Sequence, residues 1–158
     1  MGASGQLKVE DALAGVTRLG LDTSPLIYYI EESEVYKSAL EFVFEQVIAG
    51  EVEAFTSVVT ITEVLVQPLL QKDQEMAERY REILLQSDHL HVIPITERIA
   101  QKAAQLRADY TLRTPDALQL SASVEVGCDI FLTNDAALKR VSEIRVVTLS
   151  DFEDKSPE

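Results

Sequence analysis

Four acidic residues lie where the sequence pattern predicts that helices and strands begin or end: Asp22, Glu63, Asp116 and Asp135. Asp22 and Asp135 each follow an apolar run typical of a buried strand, whereas Glu63 and Asp116 fall near the expected starts of helices. In open α/β sheets, ligands bind in the crevice beyond the carboxyl ends of the strands. The four carboxylates could therefore converge at this edge of a sheet, where they would be placed for chemistry.

Each of the four also has an ordinary structural explanation. Asp22 could serve only as a turn residue, and Glu63 could be the fourth member of a Thr60-x-x-Glu63 capping box. Asp116 could offset the dipole of a helix from its first turn, and Asp135 could be a helix N-cap. Taken one at a time, these explanations account for each residue at least as well as a catalytic role does.

Carboxylates gathered without paired cations repel one another, which raises at least one pKa and destabilises the fold. A divalent cation resolves this conflict, and a site made only of oxygen ligands suits Mg²⁺ or Mn²⁺ rather than zinc. Such a site supports phosphodiester hydrolysis, because the metal orients and deprotonates a water and neutralises the phosphoryl oxygens. Asp135 or Glu63 could also act as a general base through water, and the sequence does not separate that role from metal ligation.

The elements that must position these side chains alternate between strands and helices. The first strand is expected over residues 17–22, and Ser24 as N-cap with Pro25 at the first helical position predicts a tight turn into a helix. Further strands are expected over 53–57, 90–95, 129–132 and 144–149, and helices over 34–49, 58–70, 73–86, 96–110, 116–126 and 136–141. This alternation predicts an α/β fold with a mainly parallel sheet flanked by helices on both faces.

Length and composition favour a single domain. The chain has 158 residues, of which 46% are hydrophobic, so it can bury one real core. We expect a flexible or weakly helical lead-in over residues 1–16, the domain itself over 17–152, and a polar tail over 153–158. No run of 18 apolar residues and no secretory signal is present, so a cytoplasmic protein with no membrane partner is the default expectation. The single cysteine, Cys128, is expected to be a buried structural thiol.

The formal net charge of −13 argues against a protein that binds nucleic acid by simple electrostatic attraction. A polyanionic substrate would need a metal or a local basic patch. Arg113 is the cation closest in sequence to one of the carboxylates, so it is the candidate for a phosphate contact or for balancing charge. His89 and His91 could share a face of a strand, but no cysteine or further histidine supports a metal pair, and both are expected at the surface or at a sheet edge.

Four short motifs follow one another along the chain: LDTSPLIYY at 21–29, TSxxTxxEVL at 56–65, PDALxLxA at 115–122 and LTND at 132–135. In this order they resemble the PIN domain family, particularly its VapC-type toxin branch, over roughly residues 17–152. Each motif is weak by itself, whereas the four in order are fairly specific. The resemblance implies a metal-dependent ribonuclease.

The same resemblance assigns roles to individual residues. The acidic positions of the family, catalytic and metal-ligating, are matched by Asp22, Glu63, Asp116 and Asp135. Thr23 and Thr133 match hydroxyl positions that help to hold a metal-bound water or a carboxylate, and Asn134 sits beside them, although turn chemistry also explains such residues.

VapC-type proteins are commonly homodimers and are held inactive by a small antitoxin whose tail lies over the site. Apolar residues around Leu26, Tyr28 and Tyr29 could receive such a partner, although a buried first helix is the simpler explanation.

Three functions follow as hypotheses. The first is an Mg²⁺- or Mn²⁺-dependent endoribonuclease acting on RNA, the toxin of a type II toxin–antitoxin pair. The second is a non-catalytic PIN-like scaffold whose acidic cleft receives a basic side chain of a protein partner. The third, a phospho-acceptor domain using Asp22, is disfavoured because no second Asp adjoins Asp22 and no Lys lies near a strand end in the required place.

Overall fold

The computed structural model describes residues 7–152 of the chain. Within this range the helices are α1 (Val9–Ala12), α2 (Thr23–Ile30), α3 (Lys37–Ile48), α4 (Val58–Leu70), α5 (Gln74–Gln86), α6 (Glu97–Tyr110) and α7 (Thr114–Glu125). The strands are β1 (Arg18–Leu21), β2 (Glu53–Ser57), β3 (Leu90–Ile93), β4 (Ile130–Thr133) and β5 (Arg145–Thr148). Two short 3₁₀ helices, Ala136–Arg140 and Leu149–Asp151, flank the last strand.

The strands form one five-stranded sheet in the order β3-β2-β1-β4-β5, and every neighbouring pair runs parallel. The chain fills the sheet outward from β1 to β3 on one side and then places β4 and β5 on the other side. The strand order therefore reverses between β1 and β4, which is the point where α/β sheets open a crevice for ligands. The expected single α/β domain with a parallel sheet is confirmed.

Hydrophobic clusters cover both faces of the sheet. Leu19, Leu21 and Leu132 belong to a cluster that also contains buried residues of helices α1 to α5. Phe131, between strand neighbours of that cluster, packs instead with residues of α6 and α7. Because successive strand residues point to opposite faces, this division puts α6 and α7 on one side of the sheet and the other helices on the opposite side.

The turn after β1 differs from the sequence prediction. Helix α2 begins at Thr23, and its N-cap is Asp22, whose carboxylate accepts a hydrogen bond from the Thr23 backbone N–H. The prediction of Ser24 as the N-cap was wrong, because Asp22 is also a strong capping residue and is already extended, with φ −75° and ψ 174°. Pro25 still fits inside the first turn, where backbone N–H groups have no helical partner.

Other element boundaries moved by only a few residues. Strand β2 and helix α4 match the predicted ranges, and Thr96 caps α6 by accepting from the Ile99 backbone N–H. Helix α3 begins at Lys37 rather than at residue 34, and β3 ends at Ile93 rather than at residue 95. The helix expected over 136–141 is a 3₁₀ helix. Element ends of this kind are set by tertiary hydrogen bonds as much as by local pattern.

Part of the expected lead-in is integrated into the domain. Helix α1 buries Val9 and Ala12 in the core, and Leu7 forms an isolated parallel bridge with Phe152. Val9, Ala12, Leu13 and Val16 thus belong to the core of the domain, because their apolar side chains gain by burial. The remainder of the lead-in, residues 1–6, and the tail over 153–158 lie outside the described residues, and the domain limits stay a prediction.

Residues that the sequence left without a catalytic role have structural ones. His89 Nδ1 and His91 Nε2 lie 2.7 and 2.6 Å from the two carboxylate oxygens of Glu53, beside the edge strand β3. Cys128 is half-buried, and burial raises the pKa of its thiol to about 12, so the thiol stays protonated at neutral pH. Within residues 7–152, no helix is long and apolar enough to cross a membrane.

Gly20 generates a prediction about the packing of α7 on the sheet. A Cβ at this position would lie 2.3 Å from the Ser123 hydroxyl oxygen and 2.9 Å from the Ser123 Cβ. We expect Gly20→Ala to lower the free energy of unfolding by about 1–3 kcal/mol through overpacking, measured by urea denaturation. Adding Ser123→Ala removes the closer clash, so the double variant should be more stable than Gly20→Ala. An unchanged stability of Gly20→Ala would contradict this account.

Candidate active site

Asp22 sits where the two central strands end. Its backbone N–H donates to the carbonyl of Leu132 on β4 at 2.9 Å. One carboxylate oxygen accepts from the Thr23 backbone N–H at 2.8 Å, and the other accepts from the Thr133 hydroxyl at 2.7 Å. The end of β1, the start of α2 and the end of β4 are thus joined through one carboxylate, and the side chain of Asp22 has a fixed orientation.

The environment of Asp22 disfavours its charge. Burial raises the pKa of this carboxyl, and the negative charges of Asp116 and Glu63 raise it further, whereas the hydrogen bonds from Thr133 and Thr23 act in the opposite direction. Asp116 and Glu63 therefore lie close enough to repel Asp22. Negative charge concentrated in a partly buried site opposes folding and attracts a cation.

Glu63 reaches the same edge from helix α4. One of its carboxylate oxygens accepts from the Thr23 hydroxyl at 2.5 Å. The capping-box explanation for Glu63 is wrong, because Ser57 is the N-cap of α4 and accepts from the Val59 backbone N–H. Thr60 lies inside the helix and is fully buried. Nothing in the cap of α4 thus accounts for Glu63, whose described partner is the residue next to Asp22.

Asp116 lies in the first turn of α7 and forms an ion pair with Arg113, whose Nε is 3.2 Å from a carboxylate oxygen. The hydrogen bond to Asp116 raises the pKa of Arg113, and the charges of Glu63 and Asp135 add to this effect. Arg113 is therefore the nearby positive charge for several of the carboxylates. The side chain of Arg113 is 77% exposed and that of Asp116 only 15%. The guanidinium therefore lies on the solvent side of Asp116.

Asp135 and Asn134 follow β4 directly. Asp135 caps the 3₁₀ helix by accepting from the Ala137 backbone N–H at 2.9 Å, and its own backbone N–H donates to the Thr133 hydroxyl at 3.1 Å. The predicted N-cap role is therefore real, and it leaves the exposed carboxylate beside the Asp22 hydrogen-bond partner. Asn134 donates to the Tyr28 hydroxyl at 3.2 Å, so it links β4 to α2 rather than to the carboxylates.

The described residues do not present a ready-made metal centre. Within residues 7–152, no three His, Cys, Asp or Glu side chains come together as a group that could hold a metal ion. The chemistry of the donors nevertheless fits a hard divalent cation, because the carboxylates supply only oxygen and the negative charges of Asp116 and Glu63 raise the pKa of Asp22. To hold such an ion, the side chains at this edge must draw closer together.

Four buried polar residues lie next to the carboxylates: Thr56, Ser57, Thr60 and Gln119. The first three belong to the TSxxTxxEVL motif, whereas Gln119 was not predicted from the sequence. Gln119 is only 2% exposed, and its amide donates to the Thr23 hydroxyl at 3.1 Å. The available signal was the position of this residue, since a long polar side chain stands among apolar and small residues along α7. Buried polar groups of this kind are almost always hydrogen-bonded to something specific.

Comparison with known families agrees with this geometry. The model of the PIN domain family matches residues 20–144, which include all four carboxylates. The chain belongs to the PIN domain family. The expected resemblance is thereby confirmed, and the candidate site lies at the switch point of a PIN-domain sheet. No curated protein matches the sequence of the chain.

Several solved structures share this fold. The chain is similar to one in the FitAB complex bound to the IR36 DNA fragment, at 16% identity and a TM-score of 0.69, covering 89% of this chain and 100% of that one. A toxin–antitoxin complex from Klebsiella pneumoniae gives 24% identity and a TM-score of 0.64 over 84% and 98% of the two chains. VapBC2 from Rickettsia felis, bound to a fragment of its promoter, gives 16% and 0.65 over the same shares. At these identities the likeness concerns the fold.

The raised pKa of Asp22 predicts how stability depends on pH. The carboxyl group of Asp22 binds its proton more tightly in the folded state than in the unfolded state. The free energy of unfolding therefore falls as the pH rises from the ordinary pKa of 3.8 through the raised pKa of the folded state. In EDTA at pH 8, we therefore expect Asp22→Asn to have a higher free energy of unfolding than wild type, measured by urea denaturation. The difference should shrink as the pH is lowered through that interval.

Asp129→Asn provides a control with the opposite sign. Asp129 accepts hydrogen bonds from the Thr17 and Arg18 backbone N–H groups, and these bonds lower its pKa. A carboxylate whose pKa is lowered in the folded state stabilises the fold at any pH above its ordinary pKa. This substitution should therefore reduce the free energy of unfolding at pH 8. If both variants lost stability equally at pH 8, the charge conflict described for Asp22 would be disproved.

Proposed function

We propose that this protein is a divalent-metal-dependent endoribonuclease that hydrolyses RNA phosphodiester bonds, as the toxin of a type II toxin–antitoxin pair. The observation that carries the proposal is the position of Asp22. It is partly buried between hydroxyl and backbone donors at the strand switch point of a PIN-family sheet, and Asp116 and Glu63 repel its charge. Homodimerisation and a cytoplasmic location, implied by the resemblance and by composition, stay predictions.

Mg²⁺ or Mn²⁺ would be held by the four carboxylates Asp22, Glu63, Asp116 and Asp135. When bound, the ion supplies positive charge that offsets the phosphoryl oxygens and orients the attacking water. The hydroxyls of Thr133 and Thr23 keep the carboxylates of Asp22 and Glu63 in fixed directions. Glu63 or Asp135 is the proton acceptor for the attacking water, since both are exposed at the site.

Arg113 is the proposed contact for the substrate phosphate. Its guanidinium is exposed, and its partner Asp116 is a proposed metal ligand. A bound cation would compete with Arg113 for the Asp116 carboxylate, which would free the guanidinium to pair with a phosphate oxygen. Local attraction of this kind is needed because the protein as a whole carries a formal charge of −13.

Cleavage of a labelled single-stranded RNA pool tests the proposal. We expect wild-type protein to cut in Mg²⁺ or Mn²⁺ and not in EDTA, and Asp22→Asn to lose at least about 100-fold in rate, because a direct ligand matters no less than its supporting partners do. Asp88→Asn, which removes an exposed carboxylate just before β3 at the opposite edge of the sheet, should cut normally. Equal behaviour of wild type, wild type in EDTA and Asp22→Asn would favour the scaffold function instead.

The antitoxin is proposed to bind along a groove between α2, α3 and α5. Two adjoining cavities of about 490 and 400 Å³ share Tyr29 and Ile83 as lining residues. Glu41 and Glu45 line the larger cavity, and the apolar side chain of Ile48, 71% exposed, borders the smaller. Lys37 and Arg79 also line the larger cavity, but Glu32, Glu41 and Glu45 leave it with an excess of acidic side chains. An apolar groove with such an excess suits a basic amphipathic segment of a partner.

This groove refines the surface expected from the sequence. Tyr28 and Tyr29 line it, whereas Leu26 is fully buried in the core and cannot meet a partner. The similar structures described above are of complexes, two of them named as VapBC or toxin–antitoxin assemblies, which supports a partner of the same kind for this chain. The proposed partner is therefore a small protein with a basic docking segment.

Charge reversal in the groove tests the partner proposal. We expect Glu41→Lys combined with Glu45→Lys to weaken binding of a synthetic basic amphipathic helical peptide, used as a probe for the docking segment, at least about tenfold, since each like-charge contact costs binding energy. Isothermal titration calorimetry with the purified protein would measure this affinity. Glu51→Lys, an exposed charge outside the groove, is the control. Unchanged affinity of the double variant would place the partner elsewhere.

A further inference from the structure

A chain of buried hydrogen bonds connects α7 to the carboxylates. Its members are all buried: Thr23, Thr56, Ser57, Thr60 and Gln119. They come from α2, from the end of β2, from α4 and from α7, so the chain crosses the space between the sheet and three helices. Among the described residues, no buried side-chain nitrogen or oxygen lacks a hydrogen-bond partner.

The amide of Gln119 can be oriented in only one way. Its Oε1 lies 3.3 Å from the backbone nitrogen of Ser57, which can only donate, and 2.6 Å from the Ser57 hydroxyl. The amide nitrogen must therefore face the other way, and it donates to the hydroxyls of Thr60 at 2.7 Å and Thr23 at 3.1 Å. Both protons of the amide are used by these two bonds.

This orientation fixes the direction of the next bonds. Thr56 donates its single hydroxyl proton to the Leu21 carbonyl at 2.9 Å, so in its 2.7 Å contact with Thr60 it must accept. Thr60 therefore spends its own proton on Thr56. The Thr23 hydroxyl accepts from Gln119 and lies 3.1 Å from the Thr60 hydroxyl and 2.5 Å from a Glu63 carboxylate oxygen. It donates to the carboxylate, because that contact is the shorter one and a carboxylate oxygen only accepts.

We propose that Gln119 is a positioning residue for Glu63: by donating to Thr23, it holds the Thr23 hydroxyl proton toward the Glu63 carboxylate. This inference rests on the proposed metal-dependent nuclease function, in which Glu63 is a ligand or proton acceptor. Through Thr60 and Thr56 the same amide also supports the Leu21 carbonyl, the last backbone oxygen before Asp22. One buried amide thus influences the orientation of two groups that it does not contact directly: the Glu63 carboxylate and the Leu21 carbonyl.

Gln119→Met tests the positioning role, because it keeps the length of the side chain and removes its donors. In metal-free protein, three-bond scalar couplings should report one χ1 rotamer of Thr23 in wild type and rotamer averaging in Gln119→Met. Mn²⁺ affinity, measured by isothermal titration calorimetry, should fall by about 10- to 100-fold, as is typical when a group that orients a metal ligand is removed.

Ser121→Ala is the matched control for a merely structural effect. Ser121 is a buried polar residue two positions along the same helix, and its hydroxyl donates to the Ile99 carbonyl on α6 at 2.8 Å, away from the carboxylates. This variant also loses a buried hydrogen bond, yet it should keep the Thr23 rotamer and the Mn²⁺ affinity of wild type. Equal losses of affinity in Ser121→Ala and Gln119→Met would overturn the proposal.

A double-variant comparison shows whether Gln119 acts through Glu63. In a Glu63→Gln background, adding Gln119→Met should cause little further loss of Mn²⁺ affinity, because the oriented carboxylate is already gone. Full additivity, or an unchanged Thr23 rotamer in Gln119→Met, would overturn the inference. If the rotamer responds as expected but wild-type protein binds no Mn²⁺, the proposed nuclease function fails and the hydrogen-bond direction stands.

Discussion

The structure depends on one carboxylate that is held by neutral donors. Asp22 follows β1, caps α2 and accepts from the Thr133 hydroxyl of the adjacent strand β4. A single side chain thus connects the elements at the point where the strand order reverses. Its two hydrogen bonds only partly offset the cost of burial and of two nearby negative charges. The sheet and the surrounding core must supply the stability that this charge removes, and conflicts of this kind are common at functional sites.

The ordinary structural explanations of Asp135 and Asp116 are correct, and they do not conflict with the chemical roles proposed for these two carboxylates. Asp135 caps a 3₁₀ helix and Asp116 lies in the first turn of α7, as their ordinary explanations predicted. Both positions are nevertheless at the carboxyl edge of a parallel sheet. Caps are well suited to carry functional side chains, because the backbone hydrogen bond that satisfies the helix end also limits the motion of the carboxylate.

Much of the fold could be predicted from sequence because hydrophobic residues recur at helical spacing in α5 and α6, where Ala77, Tyr80 and Leu84, and Ile99, Ala103 and Leu106, are buried. The cap of α2 could not, because Asp22, Thr23 and Ser24 all favour such positions and the choice depends on a hydrogen bond to Leu132, far away in the chain. The partners of Gln119 were equally hidden, since they lie 59 to 96 residues away. Sequence pattern identified the carboxylates by their local positions, whereas their supporting network exists only in three dimensions.

The geometry of the candidate site depends on Gly20 in the central strand β1, although Gly20 is not part of the site. Gln119 and Ser123 are four residues apart on α7 and share a face of that helix, and Ser123 sits almost against the bare backbone at Gly20. Because Gly20 has no side chain, α7 can pack close to β1. The same close packing allows the Gln119 amide to reach Thr23. Replacing Gly20 by a residue with higher strand propensity would push α7 away from the sheet. The candidate site would then change although none of its own residues had been replaced.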